Sequence, residues 1–168
     1  EKVTLLCRGK NTASDIGTHF SLHENNEKIR VPLDCRAAQE SEEISALLIC
    51  TKAHNCSEAF ASVSASLSSR APVVLLHNGL GVYEEVLKQY PEEDLFCGTT
   101  TEAAFFQQDG SLVHAGSGKI NIGRPKTSTA PDWFSNFSQA LSHAHWEQDI
   151  ERSLWRKLLV NAVINPLT

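Results

Sequence analysis
A chain of 168 residues with 41% hydrophobic and 21% charged content has the composition of one ordinary globular domain, large enough to bury a core. Its formal net charge of −5, without any run of basic residues, argues against a nucleic-acid partner. The chain shows neither an apolar run of membrane-spanning length nor a signal peptide, so it reads as cytoplasmic, without a membrane partner.

In chain order, Val3-Thr4-Leu5-Leu6-Cys7 is a short apolar run that predicts a buried strand. Residues 18–33 carry alternating segments around Glu24-Asn25-Asn26-Glu27 and predict a small hairpin. Ala46 to Cys50 is a continuous apolar run of the kind that forms a parallel strand covered on both faces. A helix is expected over Cys56–Leu67, a strand at Val73–Leu76 and a helix over Val82–Gln89. Extended segments are expected around 95–105, 111–115 and 119–123, punctuated by Gly110, Gly116 and Gly118. A helix around 132–142, a short segment at 145–148 and a long closing helix from near Asp149 complete the chain. Strand and helix alternating in this way predict an α/β fold, a parallel sheet with crossover helices.

The closing helix carries the most informative spacing. Lys157, Asn161 and Asn165 recur at four-residue intervals, so one helix face presents an ammonium and two amides in a row. Trp155, Leu158, Leu159, Ala162 and Val163 form an apolar stripe suited to packing on a core. Asn is a mediocre helix former, which points to a row of donors for a small oxygen-rich ligand; a merely solvated face is the alternative.

In open parallel sheets, ligands bind at the carboxyl ends of strands, and three such ends stand out. Arg8 directly follows Val3–Cys7; in a dinucleotide-binding fold the residue at the end of the second strand reads the adenosine ribose, and an arginine there accommodates the 2′-phosphate of NADP, an ordinary surface arginine being the alternative. Lys52 follows the strand ending at Cys50, and could approach cofactor or substrate or simply be solvated. His77-Asn78-Gly79-Leu80-Gly81 follows the next strand, with glycines for tight turning and an amide at Asn78 for a ligand.

Taken together these segments resemble the ketopantoate reductase (2-dehydropantoate 2-reductase) family. The resemblance rests on Arg8, Lys52, the loop His77–Gly81, the segment Gly98-Thr99-Thr100-Thr101-Glu102-Ala103-Ala104, and the run Trp155-Arg156-Lys157-Leu158 through Asn161 to Asn165-Pro166. It extends in order over essentially the whole chain. It implies NADPH-dependent reduction of 2-dehydropantoate to (R)-pantoate in pantothenate biosynthesis, with a small-molecule 2-oxo acid as the partner. By the same resemblance Lys157 is the catalytic proton donor, and Asn78, Asn161 and Asn165 hold the substrate. Arg8, Lys52, Asn78 and the backbone of Ala104 contact the cofactor, and no metal takes part.

The resemblance also implies a division of the chain: residues 1–148 as a partial NADP-binding Rossmann-type domain lacking its first β-α unit, and 149–168 as an interdomain helix. The family's glycine-rich turn would precede Glu1. A helical substrate and dimer domain, carrying a catalytic glutamate, would follow Thr168 and could join two copies as a homodimer. The absence of any methionine, the opening in a strand and the end just after Asn165-Pro166 agree with a piece of a longer protein, or a chain with residues missing. Such a piece alone is expected to be inactive.

Other readings remain open at this stage. The enzyme could reduce a different 2-oxo acid, or the chain could be a non-catalytic NADP-binding remnant, although such a remnant need not keep Lys157 and the three asparagines. A metal-binding or redox-thiol protein rests on five cysteines, at 7, 35, 50, 56 and 97, without a Cys-x-x-Cys pair, which instead suggest buried reduced thiols. His19 and His23 fall in an extended region, where i, i+4 spacing does not bring side chains together. His114, His143 and His145 read as surface or structural, Trp133 and Trp146 as packing residues, and Glu102 is given no role.

Overall fold
The computed structural model describes residues 3–9, 18–25, 27–77, 80–91, 94–141 and 143–164. They form two compact units, one built from the chain up to Glu43 together with Glu102–Gly118, the other from Ile44–Thr101 and the chain from Lys119 onward.

In the first unit, β1 (Thr4–Cys7) pairs in parallel with β4 (Asp34–Ala37). The predicted hairpin is present as β2 (His19–Glu24) and β3 (Glu27–Pro32), with Asn25 at φ 49°, a left-handed turn position that Asn tolerates better than most residues. β8 (Ala103–Phe106) and β9 (Leu112–Gly116) extend this hairpin into a sheet of order β3-β2-β9-β8. β4 has no apolar pattern and was not expected from sequence. It is held by its ladder with β1 and by Thr4 donating to Asp34 at 2.9 Å.

The second unit holds a five-stranded sheet of order β11-β10-β7-β6-β5, from β5 (Leu47–Ile49), β6 (Pro72–Leu76), β7 (Asp94–Thr100), β10 (Ile120–Gly123) and β11 (Ala144–Trp146). β5, β6 and β7 run parallel, as the alternation of strand and helix predicts. β10 runs antiparallel to β7, so the parallel order stops there, and β11 then lies parallel to β10. The crossover helices are α1 (Cys56–Ala61), α2 (Val82–Gln89) and α3 (Trp133–Ala140), and α4 (Ile150–Ile164) closes the described chain.

Strand alternation sends side chains to two separate cores. Val73, Leu75 and Leu95 pack with Phe60 of α1 and Val82 and Val86 of α2. Val74, Phe96 and Ile122 pack with Phe134 of α3, where Trp133 and Trp146 stand edge-on to Phe96. At about 25 cal/mol per Å², burial of these aromatic and branched residues is the main stabilising term.

Two expectations need correction. The helix predicted over Cys56–Leu67 ends at Ala61 and gives way to a 3-10 turn at Ser64–Ser66. The Ser62 and Ser64 hydroxyls donate back to the carbonyls of Ala59 and Ala61, the local competition that makes serine a poor helix interior residue. β5 is an edge strand with Leu48 42% exposed, so it is not covered on both faces.

Candidate functional site
Because β5, β6 and β7 are parallel neighbours, their carboxyl ends share one edge of the sheet. Lys52 lies past the end of β5 and is exposed, its carbonyl accepting from the Asn55 amide in a 3-10 turn. Half-buried His77 follows β6, and Gly81 starts α2 at φ 90°, a left-handed conformation that explains the second glycine of this loop. Asn78 and Asn165 lie outside the described residues.

The end of β7 receives Lys157. Helix α4 packs on β7 and β10, and Lys157 Nζ donates to the Thr100 carbonyl oxygen at 2.6 Å. Burial pushes the ammonium below the ordinary lysine range, because leaving water penalises the charged form. Asn161, one turn further, is half-buried on the same face.

This reverses the expected orientation of the helix. Trp155, Leu159 and Val163 are 57%, 65% and 66% exposed, whereas Ile150, Leu154, Lys157, Leu158 and Asn161 are buried or half-buried. Lys157 and Asn161 lie on the inward side and most of the apolar stripe does not. Leu158 alone of the stripe turns inward with Lys157.

One to two turns before Lys157, a cavity of about 190 Å³ opens between the loop after β6 and the start of α4. It is lined by His77, Leu80, Gly81, Tyr83, Glu151 and Trp155 among others, but not by Lys157. Cys97 also borders it, and burial pushes that thiol to about 12, so it stays protonated and unreactive at neutral pH.

In the first unit, Arg8 is exposed directly after β1 and its carbonyl accepts from Gln39 at 3.4 Å. Ala104 is exposed on β8 opposite His114, beside an irregularity in the ladder. His114 itself is held between two carboxylates, Nδ1 to Glu24 and Nε2 to Glu102, both at 2.9 Å. Among the described residues, no group of three or more His, Cys, Asp or Glu side chains could hold a metal ion, and no helix is long and apolar enough to cross a membrane.

Residues 1–127 match the family described as Ketopantoate reductase PanE/ApbA. The chain belongs to the ketopantoate reductase family. A relative named 2-dehydropantoate 2-reductase from Shigella flexneri is 38% identical over 125 residues, which make up 73% of this chain and 40% of the relative. One of the same name from Bacillus subtilis (strain 168) is 26% identical over 174 residues, covering 99% of this chain and 56% of that protein. The chain thus spans about half the length of these ketopantoate reductases, or less. Among solved structures, a D-mandelate dehydrogenase with NADH and anilino(oxo)acetate superposes with a TM-score of 0.78 at 21% identity, over 98% of this chain and 55% of that one, a likeness of fold.

For this ketopantoate reductase chain, sequence reasoning singled out Lys157 but not the group that holds it. Thr100 acts through its backbone carbonyl, which no side-chain pattern announces, although the Gly98–Ala104 segment was itself a signal. The double clamp on His114 was also missed. Glu24 and Glu102 are 78 positions apart, and only the pairing of β2 and β8 with β9 brings them to one imidazole.

Proposed function
We propose that the full-length protein reduces 2-dehydropantoate to (R)-pantoate with NADPH, and that Lys157 supplies the proton. The observation that carries this reading is the placement of Lys157, half-buried on the sheet side of α4 and pinned to Thr100 at the carboxyl end of β7. The family's oxidoreductase character and the relatives named 2-dehydropantoate 2-reductase support it.

The chemistry of the cations present supports a phosphorylated dinucleotide. Arg8 and Lys52 are exposed cations, each following a parallel strand, and cations of this kind make charge-assisted hydrogen bonds to phosphate oxygens. Asn78 and the Ala104 backbone would complete the contacts. Residues 1–148 would form the cofactor-binding part and 149–168 the helix leading to a second domain, through which two copies could pair. When bound, the reduced nicotinamide supplies hydride to the ketone carbon.

The chain's own contribution is electrostatic and acid–base. Alkoxide charge developing on the ketone oxygen is stabilised by the Lys157 ammonium, which then gives up a proton from Nζ to that oxygen. A lysine whose pKa is lowered by burial releases the proton more readily than a solvated one. Asn78, Asn161 and Asn165 would orient the substrate's hydroxyl and carboxylate, so that the ketone oxygen meets the ammonium.

The test is NADPH oxidation by the full-length protein with 2-dehydropantoate, repeated with NADH and with other 2-oxo acids. Rapid turnover confined to NADPH and 2-dehydropantoate is expected. Turnover only with another 2-oxo acid would overturn the substrate assignment, and NADPH binding without any turnover would make the chain a non-catalytic binder.

A further inference from the structure
The pair Cys7 and Cys35 lies outside the site described above. Leu5 stands opposite Cys35 in the parallel ladder of β1 and β4, and Leu5 and Cys7 are two positions apart, so both cysteines project from the same face. Their sulfurs are 3.2 Å apart, which leaves no room for a water molecule or a side chain between them. All five cysteines are free thiols. Cys7 is 8% exposed, whereas Cys35 is only half-buried, so the pair joins a sheltered residue to one nearer the surface.

We propose that Cys7 and Cys35 form a reversible intrachain disulfide under peroxide, a modification site at the carboxyl end of β1. The Cys35 thiolate attacks one peroxide oxygen and breaks the O–O bond, giving a sulfenic acid and a hydroxide that takes up the Cys35 proton as water. The Cys7 sulfur then attacks the Cys35 sulfur. The S–OH bond breaks, and the departing hydroxide takes the Cys7 proton as a second water. In sum two thiols and one hydrogen peroxide give one disulfide and two waters, the sulfurs losing two electrons and the peroxide gaining them. Closure shortens the sulfur separation from 3.2 Å to about 2.05 Å, a shift that side-chain rotation and a small adjustment of two adjacent strands can supply. Burial and the Cys35 contact push the Cys7 thiol up to about 11, so the first attack on peroxide falls to Cys35, and Cys7 attacks as its proton passes to the departing hydroxide.

The bond would cross-link the chain across 28 positions, immediately before Arg8. It is reversed by thiol–disulfide exchange, in which a reductant thiolate attacks one sulfur and releases the other.

The experiment treats the full-length protein with a modest excess of hydrogen peroxide, quenches it, counts thiols and maps linked peptides by mass spectrometry. The expected result is loss of two thiols, a peptide pair joining Cys7 to Cys35, and full recovery with dithiothreitol. C7S and C35S should each abolish the linked pair, and C35S should leave Cys7 unmodified at the same dose. Cys7 and Cys35 both left as thiols at a dose that oxidises the exposed Cys50 would overturn the proposal, as would a linked pair involving Cys50, Cys56 or Cys97 in place of these two. Because C50S keeps both partners, the linked pair in that variant is the check if C7S or C35S fails to fold.

Discussion

Lys157 and Thr100 are 57 positions apart in the chain and 2.6 Å apart in space, joined by an ammonium-to-carbonyl hydrogen bond between α4 and the end of β7. The bond fixes a flexible four-carbon side chain at one point on the carboxyl edge of the sheet, where the strand ends of β5 and β6 also lie. A carbonyl accepts from the ammonium without taking its proton, so it positions Nζ and leaves the ammonium free for the proposed acid role.

Replacing Lys157 by Ala in the full-length protein should lower kcat by about 10²–10⁴-fold, the range expected when a positioned general acid is removed. The Asn161→Ala variant should raise KM more than it lowers kcat, since an orienting amide acts on bound substrate. Steady-state kinetics with circular dichroism as a folding control checks both, and near-normal kcat in Lys157→Ala would remove its assigned role.

The lowered pKa of Lys157 gives a pH signature. With the ammonium as the proposed acid, kcat/KM should fall as pH rises through the lysine's own pKa in the free enzyme. Burial places that inflection below the ordinary lysine value of about 10.4. A pH–rate profile with its alkaline limb at or above that value would show that desolvation does not tune this group.

In the proposed reading Arg8 bears on cofactor choice. An exposed guanidinium after a strand can pair with a 2′-phosphate but has no matching group on NADH. Arg8→Ala should therefore weaken NADPH binding by about tenfold or more, the loss of one charge-assisted contact worth about 1.5–3 kcal/mol, while leaving NADH nearly unchanged. Fluorescence titration with both dinucleotides separates the outcomes, and equal losses would end the selectivity argument.

How far the sequence reached depended on where the signal was apolar. β6 and α2 were legible because Val73–Leu76 is a continuous apolar run and Gly81 marks the helix start. β4 was not, because Asp34-Cys35-Arg36-Ala37 has no alternation and exists through its pairing with β1. In α4 the periodicity located two faces correctly but assigned them wrongly. An apolar stripe predicts a buried face, whereas Lys157 and Asn161 share the inward side with Ile150 and Leu154. Spacing tells which residues share a face; only the neighbouring strands decide which face turns inward.

His114 should titrate above an ordinary histidine. Glu102 and then Glu24 raise its pKa, and a neutral imidazole could donate to only one of the two carboxylates that flank it. With the folded pKa raised, the stability it contributes is fully present below the unfolded value of about 6.5 and is lost as pH rises through the folded pKa. NMR titration of the ring protons should give a value above 6.5, and His114→Gln should flatten the pH dependence of Tm over that window. A ring that titrates at or below the ordinary value would contradict the double clamp.

Gly123 controls how α4 is delivered to the sheet. A Cβ at Gly123, the end of β10, would run into the Glu147 carbonyl oxygen and stand 2.8 Å from the Ile150 Cβ. Both neighbours belong to the entry of α4, which is docked on β10 by the Glu147 amide donating to the Ile122 carbonyl at 2.8 Å. Backbone cannot yield as a side chain can. At Gly98 the tightest neighbour is instead the Leu76 Cδ1 at 2.8 Å, the far end of a side chain free to change rotamer. Gly123→Ala should therefore cost about 1–3 kcal/mol, the usual range for forced overpacking, and Gly98→Ala distinctly less. Chemical denaturation gives the ranking. Because Lys157 lies two turns into the same helix, Gly123→Ala should also lower kcat, through displacement of Nζ from the Thr100 carbonyl. Equal stability of the two variants would mean that the entry of α4 shifts freely and that the bond to Thr100 alone sets the position of the lysine.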